Sequence, residues 1–135
     1  MTNCKYITAL INAHNHYRSS AHLPQLHYNW RLQKTAQSHA NRMAQTQQMS
    51  HHENIPGRTT VDDRAHQAGY TYSFVGENIA AGQTTVAGVM TSWMNSTGHR
   101  HNILNGNYNN IGVAVAQGSN GVRYWCAVLG RKMGG

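Results

Sequence analysis

Hydrophobic residues recur at helical spacing through the first third of the chain. The spacing predicts a helix over roughly residues 6–20, with one face formed by Ile7, Leu10, Ile11, His14 and Tyr17. A second helix should begin after Asn29, a good N-cap, and end near Gln48. Its inward face should carry Leu32, Ala36, Ala40 and Met43. Pro24 marks the connector between the two helices, because proline disfavours helical backbone in the residue before it.

The middle of the chain alternates between loops and short regular elements. Residues 50–60, rich in His, Asn, Pro and Gly, predict a loop, and a short helix should follow over 61–68 with Gly69 as its left-handed stop. Residues 74–81 predict an extended segment. A fourth helix should start near residues 82–84, with an apolar side made of Val86, Val89, Met90 and Trp93. Residues 95–110 are crowded with Asn, Gly and Ser and are expected to be irregular.

Two strands close the chain, at 111–116 and 122–129, with a turn at 119–121. In the first strand the small residues Gly112, Ala114 and Ala116 occupy one face, so we expect another element to pack closely against that face. Helices before and between the strands, with a hairpin last, predict a mixed α/β layer architecture and not a parallel doubly wound sheet.

The length of the chain, 135 residues, is that of one domain, and no internal boundary is expected within 1–135. No stretch reaches the roughly 18 consecutive apolar residues of a membrane span. The N-terminus lacks the charged start and apolar run of a signal peptide. We therefore expect a soluble domain from which any targeting peptide has been removed.

The chain is strongly basic. Eleven Lys and Arg against four Asp and Glu give a net charge of +7, which attracts it to anionic surfaces such as cell-wall polymers. The basic residues are dispersed along the chain, with no long run and no interleaved aromatic residues. This pattern argues against specific recognition of nucleic acid.

Histidine is abundant and carboxylates are scarce. The acids are Glu53, Asp62, Asp63 and Glu77, so carboxylate chemistry has few candidates. Of the ten histidines, five fall among polar residues and are expected to be solvated and without a function: His16, His22, His27, His39 and His66.

The two cysteines, Cys4 and Cys126, lie near opposite ends of the chain. A bridge between them would remove about 4–5 kcal/mol of unfolded-state entropy and would indicate an oxidising compartment. Two free buried thiols are the alternative, and the sequence leaves both open.

Four local patterns follow one another in a fixed order. They are His14-Asn15-x-x-Arg18, Met49-Ser50-His51, Gly76-Glu77-Asn78-Ile79 and Trp93-x-x-Ser96-x-Gly98-His99-Arg100-x-Asn102-Ile103-Leu104. Together they resemble the bacterial branch of the CAP superfamily, the cysteine-rich secretory, antigen five and pathogenesis-related proteins with an SCP-like domain. The closing strands, with Ile111-Gly112-Val113 and Tyr124-Trp125, extend the resemblance over residues 6–130. One such pattern is weak evidence, whereas four in order are specific.

The resemblance implies a three-layer α-β-α sandwich around a central, mostly antiparallel sheet, in an extracellular or periplasmic protein. In this family two histidines and two glutamates line a central cleft. By motif, the first histidine, first glutamate and second histidine map to His51, Glu77 and His99. Ser96 stands where the second glutamate would be, so the four-residue set is incomplete here.

The remaining trio suggests a metal site. Glu77 can orient one imidazole, and His51 and His99 are then the candidate ligands of a weakly bound Zn²⁺. Zinc sites usually have three or four protein ligands, and the chain contains no His-Glu-x-x-His pattern. The alternative is a hydrogen-bonded structural cluster beneath a shallow groove.

Other histidines compete for these roles. His52 could replace its neighbour at position 51. His101 would share one side of an extended segment with the histidine two positions before it, which would make a second metal pair. His14 lies on the apolar face of the first helix and is expected to be a core histidine with a satisfied hydrogen bond. Asn15 and Arg18 should anchor that helix to the rest of the domain.

Three functions follow from these residues. The first is a secreted binding module whose cleft takes up a metal ion, a small lipid-like molecule or a peptide. The second is a hydrolase, such as a peptidase, in which Glu77 or a histidine activates water, or Ser96 is the nucleophile and His99 its base. The third is an adhesion domain for cell-wall polymers or a host surface. The lack of a clear nucleophile favours the first.

Overall fold

The computed structural model describes residues 4–134. Its elements are α1 (Cys4–Ser20), β1 (His27–Tyr28), α2 (Trp30–Thr46), α3 (Val61–Gln67), β2 (Tyr72–Ala81), α4 (Val86–Met94), α5 (Thr97–Ile103), β3 (Asn110–Gln117) and β4 (Arg123–Lys132). The two ends of the predicted 1–135 domain, residues 1–3 and 135, lie outside the described residues. No helix within 4–134 has the length and apolar character needed to cross a bilayer.

The strands form one mixed sheet in the order β1-β3-β4-β2. β3 pairs with β4, and β4 with β2, in antiparallel orientation, whereas the short edge strand β1 runs parallel to β3. The expectation of a mostly antiparallel sheet is confirmed, and β1 is what makes the sheet mixed.

Helices cover both faces of this sheet, which confirms the three-layer architecture. One face packs against α1, α4 and α5, in a core that includes Leu10, Met90, Trp93, Ile103, Val113, Val115 and Trp125. The other face packs against α2 and α3, in a core that includes Leu32, Ala36, Ala40, Ala65, Ala114, Cys126 and Val128. The alternation of β-strand side chains between the two faces assigns odd and even positions of β3 to different cores.

Buried polar side chains fix α1 to the rest of the domain, as expected from its motif. Arg18 is fully buried and donates four hydrogen bonds to the backbone carbonyls of Pro24, Ile103, Asn105 and Tyr108. Asn15 exchanges two hydrogen bonds with the backbone of Leu26. These bonds join α1 to backbone groups at residues 24–26 and 103–108, which lie outside that helix.

Helix α2 begins as the sequence predicts. The Asn29 side chain accepts hydrogen bonds from the backbone amides of Arg31 and Leu32, at 3.0 and 3.1 Å. The helix crosses β3 so closely that a Cβ added at Gly112 would lie 2.2 Å from the carbonyl carbon of Leu32. The close packing expected against the small face of this strand is therefore confirmed, and α2 is the element that packs there.

Replacing Gly112 by alanine is expected to lower the free energy of unfolding by about 1–3 kcal/mol, because the atoms that would clash belong to the α2 backbone and move only with the helix. Urea denaturation measures the effect. Gly98→Ala is the matched control, since an added Cβ there has no neighbour within 4 Å and alanine favours a helix. Equal stabilities of the two variants would contradict the packing argument.

Two elements differ from the predictions. Residues 97–103 form the helix α5, where irregular backbone was expected, and the strand β1 was not predicted at all. The α5 sequence contains Gly98 and Asn102, both poor helix formers. Contacts from outside the helix stabilise it, because Ile103 is completely buried and the Asn102 amide donates to the Asn78 side chain at 2.8 Å.

A bridge between Cys4 and Cys126, one of the two alternatives that the sequence left open, is not formed. Both cysteines are free, and they differ in environment, since Cys4 is exposed and Cys126 is buried. Burial, together with the nearby Glu77 carboxylate, raises the pKa of the Cys126 thiol well above its usual value. A buried thiol of this kind is unreactive, so the cysteines give no indication of the redox compartment.

Candidate functional site

His51 and Glu77 are in direct contact. Glu77 lies in β2 with its side chain almost wholly buried, and His51 lies in the loop before α3 with its side chain about half exposed. The His51 Nδ1 atom is 2.9 Å from Glu77 Oε1. His52, the competing neighbour, is exposed, and its backbone amide bonds to the Ser50 hydroxyl.

Arg64 holds the Glu77 carboxylate from the other side. The helix α3 that carries Arg64 begins with a reciprocal capping box between Thr60 and Asp63. Arg64 donates from Nη1 to Glu77 Oε2 at 2.7 Å and from Nη2 to the backbone carbonyl of His51 at 2.6 Å. One buried guanidinium therefore positions both the carboxylate and the backbone that carries the histidine.

These contacts keep Glu77 ionised. Burial alone would raise the pKa of Glu77, but hydrogen bonds from His51 and Arg64 and the charges of Arg64 and His39 hold it below its usual value. A carboxylate whose pKa is lowered is a poor proton acceptor near neutral pH. The geometry thus makes Glu77 an orienting partner for an imidazole more readily than a general base.

His99 lies on α5, next to the same segment of β2. Its Nδ1 atom is 2.9 Å from the hydroxyl of Ser96, the N-cap residue of α5. The helix is tied to β2 by two bonds: the Asn78 amide donates to the His99 carbonyl at 3.0 Å, and the Asn102 amide donates to the Glu77 carbonyl at 3.3 Å. Partial burial, and then the charge of His51, lower the pKa of His99. His99 is therefore a neutral imidazole near pH 7.

The predicted residues accordingly form two contacting pairs, His51 with Glu77 and Ser96 with His99. Residues 4–134 contain no group of three or more His, Cys, Asp or Glu side chains arranged to hold a metal ion. The alternative metal pair of His101 with the histidine at position 99 is wrong, because α5 is helical there and residues two apart in a helix point to different sides. His101 is exposed.

One histidine expected to be solvated, His39, is instead buried. Its Nδ1 atom is 2.6 Å from Glu53 Oε2, and its Nε2 atom is 2.6 Å from the backbone carbonyl of Ser50. Both ring nitrogens therefore contact oxygen atoms of neighbouring residues. The other four members of that set, at positions 16, 22, 27 and 66, are exposed as expected.

The sequence interpretation also missed Glu53 and Arg64 as members of this cluster. Glu53 is 2% exposed and contacts three basic side chains: His39, Arg58 at 3.5 Å and Arg64 at 3.5 Å. A signal for His39 was present, since it lies three residues after the buried Ala36 and so belongs to the inward face of α2. No comparable periodicity marks Glu53, which lies in a loop.

The prediction of a core histidine with a satisfied hydrogen bond holds for one of the two ring nitrogens of His14. The residue is fully buried, and its Nδ1 atom is 2.7 Å from the Leu10 carbonyl. Its Nε2 atom, however, has no hydrogen-bond partner among the described residues. Burial is the main reason that the pKa of His14 falls to about 4, so the ring is neutral at pH 7.

Comparisons with known proteins agree with the motifs. A model of the cysteine-rich secretory protein family, CAP, matches residues 11–129. The uncharacterized protein YkwD of Bacillus subtilis (strain 168) is 35% identical over 113 residues, which is 84% of this chain and 42% of that protein. An extracellular protein containing an SCP domain, from Bacillus anthracis str. Ames, is 27% identical with a TM-score of 0.82, over 93% of this chain and 40% of that one. An outer surface protein from Borrelia burgdorferi shares the fold with a TM-score of 0.88 at 19% identity, over 98% of this chain and 96% of that one.

The chain spans less than half the length of YkwD and of the B. anthracis protein. The family match nevertheless includes every motif from His14 to the closing hairpin. Since the motifs, the layered sheet and this match extend over the same residues, the chain belongs to the cysteine-rich secretory protein family of the CAP superfamily.

Proposed function

We propose that the domain is an extracellular binding module in which His51 and His99 bind a transition-metal ion, Zn²⁺ in the first instance, with low affinity. One observation carries the proposal: each imidazole is held through Nδ1 by an oxygen atom, on Glu77 and on Ser96, both at 2.9 Å. Neither Nε2 atom has a hydrogen-bond partner within residues 4–134. An oxygen that orients one ring nitrogen and leaves the other available is the usual support of a metal-binding histidine.

The donor set fits a weak site and not a closed structural one. Glu77 is occupied by Arg64 and is a poor third ligand. Two imidazoles leave coordination positions to water or to a bound molecule, for which the half-exposed His51 gives access. A bound Zn²⁺ would supply a positive centre that polarises such a molecule. A small lipid-like molecule or a peptide is the ligand class that we propose for this position.

Two relatives support parts of the proposal. The B. anthracis protein, 27% identical, is extracellular, which supports an extracellular location for this domain. NaASP2, a protein of the same fold at 14% identity and a TM-score of 0.62, was solved with Zn²⁺. That likeness concerns the fold, so the zinc site of this chain depends on its own residues.

Calorimetric titration with Zn²⁺ at neutral pH is expected to show binding in the micromolar range or weaker, which is lost in the double variant His51→Ala, His99→Ala. The matched control is His52→Ala, His101→Ala, which removes two exposed histidines beside the same positions and should retain the binding. If the unmodified protein gave no heat of binding, or if both double variants lost Zn²⁺ binding equally, the metal proposal would be wrong.

A second function has one observation in its favour, the 2.9 Å contact between Ser96 Oγ and His99 Nδ1. In a hydrolase with Ser96 as nucleophile, Nδ1 would have to accept the hydroxyl proton, which requires the hydrogen on Nε2. Metal binding requires the opposite tautomer, with the hydrogen on Nδ1 and a free Nε2. The ¹⁵N shifts of the His99 ring therefore separate the two functions. No residue in 4–134 bonds His99 Nε2 to orient it as a base, which favours the binding module.

A further inference from the structure

We propose that a basic groove along α2, on the side of the domain where the 48–60 loop packs, binds a linear polyanion. The groove, called here the α2 groove, is lined by Lys34, Ser38, Arg42, Ile55 and Arg58 among others. Neither His51 nor His99 lines it. The proposal therefore concerns a second site, independent of the metal.

The α2 groove consists of three adjoining cavities. The largest has a volume of about 520 Å³, and a second of about 250 Å³ shares Lys34, Ser38 and Arg58 with it. A third, of about 180 Å³, shares Arg42 and Glu53 with the first and extends along the loop to His52. Shared walls make these cavities one continuous depression, which suits an extended ligand better than a compact one.

Three cations lie in a row along this groove: Lys34, Arg58 and Arg42. Lys34, Ser38 and Arg42 follow one another at intervals of four residues, so their side chains lie on one face of α2 and span about 12 Å along its axis. The Arg58 guanidinium donates to the Ser38 hydroxyl at 2.6 Å, which places a positive charge between the two ends. The cations therefore repeat at roughly 6 Å along the helix.

The carboxylate in the groove does not cancel this charge. The Glu53 side chain is almost fully buried and contacts His39, Arg58 and Arg64. Within the cluster, the two carboxylates Glu53 and Glu77 are matched by the guanidinium groups of Arg58 and Arg64, so neither carboxylate neutralises Lys34 or Arg42. Arg58 is more exposed than Arg64, with a side chain 23% exposed against 0%, and it lines the groove.

Arg42 supplies the clearest vacant donor. Its side chain lines both the largest and the smallest cavity, yet it makes no hydrogen bond or ion pair with any described residue. A guanidinium has five N–H donors and binds phosphate or carboxylate through two of them at once. Lys34 is held near the Trp30 ring, 5.4 Å from its centroid, and its ammonium remains a donor at the other end of the groove.

These features specify a ligand class: a chain polymer with negative charges repeating at about 6 Å, such as a phosphodiester or a polyuronate. The spacing comes from the helix itself, because successive side chains on one face of α2 rise by about 6 Å. A single small anion would contact one of these basic side chains at a time and gain little from their alignment.

The test uses the domain and two probes, a short poly(glycerol phosphate) and a polygalacturonate, with inorganic phosphate for comparison. The double variant Lys34→Gln, Arg42→Gln is expected to bind the preferred polymer about tenfold more weakly. Its plot of log K against log salt should be flatter by about 0.7 for each polymer charge that the variant no longer neutralises. Preference for one probe identifies the anionic group as phosphate or carboxylate.

The matched control is Lys5→Gln, Lys132→Gln, which removes the same two charges from exposed positions outside the groove. It should retain the affinity within about twofold if binding is local. Equal weakening in both double variants would mean attraction by net charge alone and would overturn the proposal. If inorganic phosphate bound as tightly as either polymer, the claim that the groove binds a linear polyanion would be wrong. Neither result affects the zinc titration, so the two proposals fail separately.

Discussion

Replacing Arg64 by methionine is expected to lower the free energy of unfolding by about 3–5 kcal/mol, because a buried ion pair that loses one partner leaves an uncompensated charge. The Arg64 side chain is completely buried, 2.7 Å from Glu77 and 3.5 Å from Glu53. Its removal leaves the buried Glu77 carboxylate without its cation and the His51 backbone carbonyl without the hydrogen bond that Nη2 donates. Equilibrium urea denaturation, followed by tryptophan fluorescence, measures the loss.

The control for this variant is Arg42→Met, which removes a guanidinium that has no partner among the described residues and should change stability by less than about 0.5 kcal/mol. A double-mutant cycle with Glu77→Gln isolates the pair. If the carboxylate is the reason for the loss, neutralising it should recover part of the stability that Arg64→Met removes. A cost below about 1 kcal/mol for Arg64→Met would contradict the ion-pair argument.

The pH dependence of the Arg64 variant gives an independent signature. In the unmodified protein the pKa of Glu77 is held below 4.5, so its contribution to stability is present above about that pH and is lost as the pH falls through the lowered value. Without Arg64 that pKa rises, because burial then dominates. The variant should therefore lose less stability on acidification than the unmodified protein does.

Helices and strands with strong periodicity were predictable from the sequence, and elements held by distant contacts were not. The inward face of α2 and its Asn29 cap follow from spacing and from a side chain that satisfies the first amides. Helix α5 has no such pattern. It depends on the burial of Ile103 and on the Asn102 bonds to β2, which join residues more than twenty positions apart. Strand β1 is only two residues long and exists through its pairing with β3.

In the candidate site, too, some contacts were predictable from the sequence and others were not. The contact between His51 and Glu77 was expected from the family resemblance, which already contains the fold that brings them together. The cluster around Glu77 also contains ion pairs that were not predicted, formed by His39, Glu53 and Arg64. The composition showed only that the chain has few acidic residues. Ion pairs between a helix, a loop and a second helix leave no spacing in the sequence, since the distances along the chain are set by loop lengths.

Acidification of the unmodified domain is expected to remove about 3 kcal/mol of stability through His14 alone, since the pKa of its buried ring is about 4 in the native state against 6.5 for an ordinary histidine. A group whose native pKa is lowered contributes its stability above the unfolded value and loses it as the pH falls. The loss therefore begins near pH 6.5 and is complete near pH 4. Burial is the main cause, and the adjacent Arg18 charge acts in the same direction.

Urea denaturation of the unmodified domain and of His14→Leu, at several pH values between about 7.5 and 4.5, tests this. Leucine does not titrate, so the variant should have a flatter profile in this range, whatever its stability at neutral pH. The control is His16→Leu, two positions away on the exposed side of α1, which should keep the slope of the unmodified protein. His99 also has a lowered pKa and accounts for a smaller residual slope in the leucine variant. If His14→Leu and the unmodified domain lose stability in parallel between these pH values, the buried imidazole at position 14 is not the group that titrates.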